Sequence, residues 1–178
     1  MRGFALMFLR AAALAIIVAP AAACEASPSP APAKAAAALE LTGRVVDAAN
    51  ILPPDVEASL DRRLAAIQRD TKAQVVVAST PDLQGMEISD YSVQLARAWG
   101  IGDARRHDGV LVLVAPAERK VRIEVGYGLE KTVKDERCAR IIQDEMLPRF
   151  REGELAAGTV AGVAGIERIL RRQIEAGV

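Results

Sequence analysis

Two apolar runs set the first limit on what this chain can become. Residues 74–80 read QVVVAST and residues 109–115 read GVLVLVA, and neither alternates polar with apolar positions. A strand that is apolar at every position has to be covered on both faces, as parallel strands are when helices pack above and below them. Between the runs, Ile88, Tyr91, Leu95 and Trp99 recur at spacings of three and four, the stripe of a helix. Gly100 and Gly102 stop it. Strand, helix, strand predicts a parallel pair joined by a right-handed crossover.

The flanking segments extend this plan. Residues 41–46 form a short strand candidate that ends in Asp47. Val56, Leu60, Leu64 and Ile67 share one helical stripe, with Pro54 in the first turn and Asp55 and Glu57 near the positive end of the dipole. Pro116-Ala117-Glu118 predicts a tight reversal, so RKVRIEVG returns antiparallel to the second apolar run. A hairpin centred on Ala117 sets Ala115 beside Arg119, Val110 beside Glu124 and Asp108 beside Gly126. Helix follows from about 134 to 147, halted before Pro148, and again from about 154 to 176. On the last helix Gly158, Gly162 and Gly165 form a small-residue face expected to pack on the sheet. The fold class is α/β: a three-layer α/β/α sandwich with a mixed, mostly buried central sheet, Rossmann-like in look. A length of 178 residues with 51% hydrophobic side chains suits one sizeable core rather than two domains.

The first 38 residues read as something other than fold. MRGFALMFLRAAALAIIVAPAAAC has a basic start, an apolar run and small residues before Cys24, the anatomy of an export signal over residues 1–23. Met7 would serve as an alternative start. Ala21-Ala22-Ala23-Cys24 is close to a bacterial lipobox, in which the cysteine thiol is acylated and anchors the protein to a membrane; an ordinary cut after small residues is the other reading. Residues 24–38 carry Pro28, Pro30 and Pro32 without a periodic apolar face, a tether that would reach about 45 Å if extended. Residues 39–176 are then the folded domain. The expected location is the periplasm or cell envelope, lipid-anchored through Cys24 or else soluble.

Charge and composition narrow the partners. Without residues 1–23 the chain loses Arg2 and Arg10 from its 23 basic residues and none of its 23 acidic ones, a net charge of −2. One Trp, two Tyr and three Phe offer no basic, aromatic-rich surface for nucleic acid. Cys138 is the cysteine left for the domain, so no structural disulfide is expected.

Candidate chemistry centres on acids and on VRIEVGYGLEKTVKD, residues 121–135. Its Gly126-Tyr127-Gly128 follows a strand, but Lys131 stands where a dinucleotide fingerprint needs a third glycine, and the strand closes a hairpin. No nucleotide is expected there. The glycines instead bring Asp108 and Asp135 towards one place, with Glu124 near and Asp47 a fourth candidate, a set of oxygen ligands suited to Ca²⁺ or Mg²⁺. Each acid also has a plainer role: Asp108 in a turn before Gly109, Asp135 as a helix N-cap, Glu124 in a surface pair with Arg122. His107 is the single histidine, so a catalytic triad or a histidine metal site would rest on it alone, and a solvated loop histidine is the plainer reading. Arg105 and Arg106 are available to hold an anionic group. Cys138 lies on an apolar stripe with Ile141, Ile142 and Met146, a buried thiol.

GRVVDAANILPPDVEASLDRRLAAI, AWGIGDARRHDGVLVLVAPAERKVRIEVGYGLEKTVKD and IIQDEMLPRFREGELAAGTVAGVAGI together resemble the TPM domain family over about residues 41–170. The resemblance implies an α/β/α sandwich in an exported, often membrane-anchored protein. It implies divalent-metal binding at an acidic cleft, with Asp47, Asp108 and Asp135 at the matching positions and Glu124 beside them. It also implies a phosphatase label, here a metal-dependent acid-phosphatase-like hydrolysis of phosphomonoesters by a metal-bound water. The alternative is a non-catalytic, chaperone-like module that assists membrane-protein complexes. His107-Asp108-Gly109 departs from the Asp-Asn-Gly common before the apolar strand.

Overall fold

A computed structural model describes residues 39–176. The expectations for the export signal (1–23), Cys24 and the tether up to residue 38 lie outside the described residues. The sheet has four strands in the order β1 (Val45–Asp47), β2 (Gln74–Ser79), β3 (Gly109–Ala115) and β4 (Lys120–Val125). β1, β2 and β3 are parallel and β4 is antiparallel to β3, so the sheet is mixed, as expected. β3 is buried at all seven positions, which is why its sequence cannot alternate.

Helix α1 (Pro54–Thr71) links β1 to β2, and α2 (Ile88–Ala98) links β2 to β3. Alternate residues of β2 sort the two faces. Val75 and Val77 join Leu60, Leu64 and Ile67 of α1 in one core. Val76 and Ala78 join Tyr91 and Leu95 of α2 in the other. The three parallel strands step in one direction while their connecting helices lie on opposite faces. The two crossovers therefore have opposite hands, and one departs from the right-handed rule that sequence reasoning applies.

The remaining helices cover the α1 face. α3 (Asp135–Arg140) runs into a π-helical segment (Ile141–Met146) and on into α4 (Leu147–Arg151), so Pro148 does not halt the helix as its residue type predicts. In the widened turn the Leu147 N–H reaches back to the Ile142 carbonyl, five residues away, and the chain passes Pro148 without the usual clash. α5 (Leu155–Glu175) lies antiparallel on this composite helix. A Cβ on Gly158 would overlap the Phe150 ring, one on Gly162 would stand 2.6 Å from the Met146 sulfur, and one on Gly165 2.8 Å from Ile141 Cγ1. The small-residue face is thus used for close helix–helix approach, not for packing on the sheet as expected. Both cores close within residues 39–176, and no described helix is long and apolar enough to cross a membrane.

Candidate functional site

The β3–β4 hairpin fixes what can meet at the end of the sheet. Its turn holds four residues, with Arg119 N–H donating to the Pro116 carbonyl at 3.1 Å and Arg119 in the left-handed region at φ 54°. Ala115 pairs with Lys120 and Val110 with Val125, one residue away from the register expected for a turn centred on Ala117. The slip puts Glu124 opposite Leu111, on the face that α2 covers. There its Oε2 accepts from Ser92 Oγ at 3.2 Å and from Arg122 Nη2 at 3.2 Å.

Four glycines bind three backbone segments together at the start of β3. A Cβ on Gly126 would overlap the His107 carbonyl, and one on Gly128 the Arg106 carbonyl. Gly126 has an ordinary φ of −71°, so the need is for space rather than for an unusual dihedral. Gly102 and Gly109 face each other in the same way, a Cβ on Gly102 standing 2.5 Å from the Gly109 nitrogen. The amide of Gly126 donates to the Gly109 carbonyl at 2.8 Å and that of Gly128 to the His107 carbonyl at 3.0 Å. Amides that would cradle a phosphate are already engaged with the neighbouring loop, which is what sets this Gly-x-Gly apart from a nucleotide fingerprint.

Asp108 lies under that loop and is 6% exposed. Its Oδ1 accepts from the Asp103 amide at 2.8 Å and its Oδ2 from Arg106 Nε at 2.6 Å. Arg106 thus supplies the counter-charge that a buried carboxylate requires, and the carboxylate hydrogen bond holds its guanidinium above the ordinary arginine range. Asp103 Oδ1 accepts from the amides of Arg105 and Arg106 at 2.9 and 3.0 Å. Those bonds, first from Arg105 and then from Arg106, hold the Asp103 carboxyl below the usual carboxylate range. The loop is cross-braced by its own acids.

Asp47 is far from this place. It ends β1 opposite Ser79, whereas Gly109 is opposite Gln74 at the other end of β2. Five residues of strand separate the two ends, about 17 Å. Asp47 Oδ1 accepts from Ser79 Oγ at 2.5 Å and from the Ile51 amide at 3.1 Å, and Oδ2 from the Leu52 amide at 2.8 Å. Asp135 is the first residue of α3 rather than its N-cap, which is Lys134, and its carboxylate is exposed. Of the four acids predicted as ligands, Glu124 and Asp135 line one cavity of about 590 Å³ along the β4 edge. Asp108 is turned to Arg106, and Asp47 is at the opposite end of the sheet. As arranged, the four do not fit one Ca²⁺ or Mg²⁺, which needs six or more oxygens at 2.0–2.6 Å, and no group of three metal-ligating side chains occurs among the described residues.

The cleft beside the glycine-bound loop has a volume of about 490 Å³ and is lined by Val93, Arg97, His107, Glu124, Tyr127 and Glu130, among others. Tyr127 is 74% exposed on a backbone that Gly126 and Gly128 hold in place. His107 takes φ 51°, an uncommon conformation for a residue with a Cβ. Sequence reasoning missed Tyr127 as a feature of its own, although its position between two close-approach glycines was visible. Cys138 is buried as expected, and burial first, then the Asp135 charge, pushes its thiol up to about 11.

Comparison with known proteins places these features. The TPM domain family matches residues 45–169. A solution NMR structure of the N-terminal domain of a protein from P. gingivalis has 34% sequence identity and a TM-score of 0.71, covering 75% of this chain and 85% of that one. The NMR structure of the BA42 protein from the psychrophilic bacterium Bizionia argentinensis shares the fold at 16% identity and a TM-score of 0.60, covering 68% of this chain and 82% of that one. The N-terminal domain of the cg2496 protein from Corynebacterium glutamicum does so at 13% and 0.58, covering 72% and 80%. Comparison with curated protein sequences gives no match.

Proposed function

This chain belongs to the TPM domain family, and from that premise we propose that it is a non-catalytic binding module of the cell envelope, its cleft around Tyr127 receiving part of a partner protein. The observation that carries this reading is the engagement of the acids. Asp47, Asp108 and Glu124 are each held by donors of the protein itself, and Asp135 is the one of the four predicted ligands with no such donor among the described residues. Metal-assisted phosphomonoester hydrolysis needs a cation that polarises the phosphoryl oxygen and activates water. Among the described residues the lining of the cleft holds no serine or cysteine to act as a nucleophile, and the Ser92 hydroxyl that reaches Glu124 is fully buried. An exposed aromatic on a rigid turn is the kind of anchor that protein interfaces use.

A cation-binding reading has one observation in its favour: Glu124 and Asp135 share the cavity on the β4 edge. One experiment separates the readings. The chain from residue 24 onwards is heated with and without Ca²⁺ or Mg²⁺ and assayed for phosphomonoester hydrolysis, as wild type and as Glu124→Gln/Asp135→Asn. The binding module predicts no turnover and no metal-dependent rise in Tm; a rise, or turnover, abolished by the double substitution would establish the cation site. A photo-crosslinker in place of Tyr127 is expected to give a discrete adduct in cells. Export and attachment through Cys24 complete the proposal and rest on the pattern of residues 1–24. Cys24→Ser is expected to release the protein from membranes.

A further inference from the structure

α3 with its π segment and the C-terminal half of α5 border an open groove of about 660 Å³. Lys131, Arg137, Arg140, Arg168 and Arg172 line it, against the acids Asp144 and Glu145. That is a local charge of +3. The surrounding domain is acidic: taking Arg2, Arg10 and Lys34 from the 23 basic residues and Glu25 from the 23 acidic ones leaves 20 against 22. Arg168 is answered by Glu145 at 2.5 Å. Among the described residues, Lys131, Arg137, Arg140 and Arg172 have no carboxylate within ion-pair distance. Arg137 and Arg140 donate to the carbonyls of Thr132 and Glu136 instead. Like charges gathered on one face repel, so a counter-charge from outside the domain would stabilise the cluster.

The place of the groove in the fold suggests where that counter-charge lies. α5 runs antiparallel to the helix before it, so Arg172 and Ala176 lie beside Lys131 and Thr132, just after the end of β4. The start of β3 is at this same end of the sheet, because Gly109 meets Gly126. So is Trp99, whose Nε1 donates to the Leu39 carbonyl at 2.8 Å. The chain that carries Cys24 therefore joins the domain at the end where the basic groove opens. Ile174, 51% exposed, lies at the same end of α5, an apolar side chain suited to the boundary between headgroups and acyl chains.

We propose that this end of the domain docks on an anionic phospholipid surface, with Lys131, Arg137, Arg140 and Arg172 against lipid phosphates. The cations are spread along two helices and a turn rather than converging on one point. That arrangement meets an array of phosphates; a single bound phosphate calls for a bidentate fork or a set of backbone amides. The proposal draws on the export reading for which surface is near, and its test does not.

Residues 24–178 carrying Cys24→Ser, which removes the acylation site, are mixed with phosphatidylcholine vesicles with and without phosphatidylglycerol, and bound protein is read by co-sedimentation. Binding is expected on the anionic vesicles alone and is expected to fall with added salt. Each neutralised cation is expected to lower partitioning about fivefold, and Arg137→Gln/Arg140→Gln/Arg172→Gln about 100-fold. Arg119→Gln/Arg151→Gln removes two cations from the opposite end of the sheet and is expected to leave binding unchanged. Equal loss from that pair, equal binding to neutral vesicles, or no binding by a chain with intact circular dichroism would overturn the proposal. Displacement by inorganic phosphate at the same phosphate concentration would also overturn it, in favour of a small-anion site. Loss of membrane attachment by Cys24→Ser in cells, with vesicle binding retained, would separate the anchor from the docking face.

Discussion

The two ends of the sheet each hold a carboxylate, and each is satisfied in a different way. At one end Asp47 binds its own following loop, through the amides of Ile51 and Leu52, and the adjacent strand, through Ser79. At the other end Asp108 is neutralised by Arg106, two residues earlier, beneath a loop held down by four glycines. The first arrangement needs no counter-ion, because three hydrogen bonds disperse its charge. The second buries an aspartate side chain and supplies an arginine to match. Both acids thus serve as braces, and a sequence motif of aspartates does not by itself bring oxygens to one cation.

Substitutions can break this comparison, beginning with the strongest. Gly126→Ala and Gly128→Ala force a Cβ into backbone carbonyls that cannot yield cheaply, and each is expected to destabilise the domain by about 3 kcal/mol. Gly100→Ala, where no atom lies within 4 Å of the added Cβ, is expected to cost about 1 kcal/mol for its left-handed dihedral alone. Urea denaturation of the three variants reads the difference. Equal losses would show that the glycine contacts are not tight.

Next come the acids themselves. Asp47→Ala leaves two amides and a hydroxyl without their acceptor and is expected to cost about 2–3 kcal/mol. Asp108→Asn keeps an acceptor for the Asp103 amide and loses the charge partner of Arg106, for about 1–2 kcal/mol. If the Asp108→Asn effect proved the larger in urea midpoints, the Arg106 pair would outweigh the loop brace.

Smaller effects concern ionisation. Burial acts to raise the Glu167 carboxyl, and the hydrogen bonds from Arg171 and Arg63 outweigh it, so its pKa is lowered. A lowered carboxylate pKa contributes stability that is present above the unfolded value of about 4.3 and is lost as pH falls through the folded value. Stability of the wild type is therefore expected to decline below that pH more steeply than that of Glu167→Gln. Parallel acid titrations followed by fluorescence of Trp99 would check this. Cys138, with its thiol pushed up to about 11 by burial, is expected to resist alkylation at pH 8 until the domain is unfolded. Fast labelling of the native protein would show that the α1-side core opens.

Much of the fold was legible along the chain. Continuous apolar runs at 74–80 and 109–115 disclosed two buried strands, since a residue covered on either face has no polar alternative. The 3.6-residue stripes disclosed α1 and α2, and the motifs around Asp108 and Gly126 disclosed the family. What stayed hidden depended on contacts between distant segments or on fine backbone geometry. The one-residue register slip came from a four-residue turn whose left-handed position is held by Arg119 rather than by glycine or asparagine. The π segment that carries the helix past Pro148 has no residue signature. The opposite hands of the two crossovers depend on which face each helix covers, and helical periodicity does not specify a face. The separation of Asp47 from Asp108 followed from strand direction and length. Local pattern determines which residues are buried, because burial is a matter of side-chain chemistry. Which polar side chains meet is decided by register and topology, because a carboxylate binds whatever donor the rest of the chain brings within 3 Å of it.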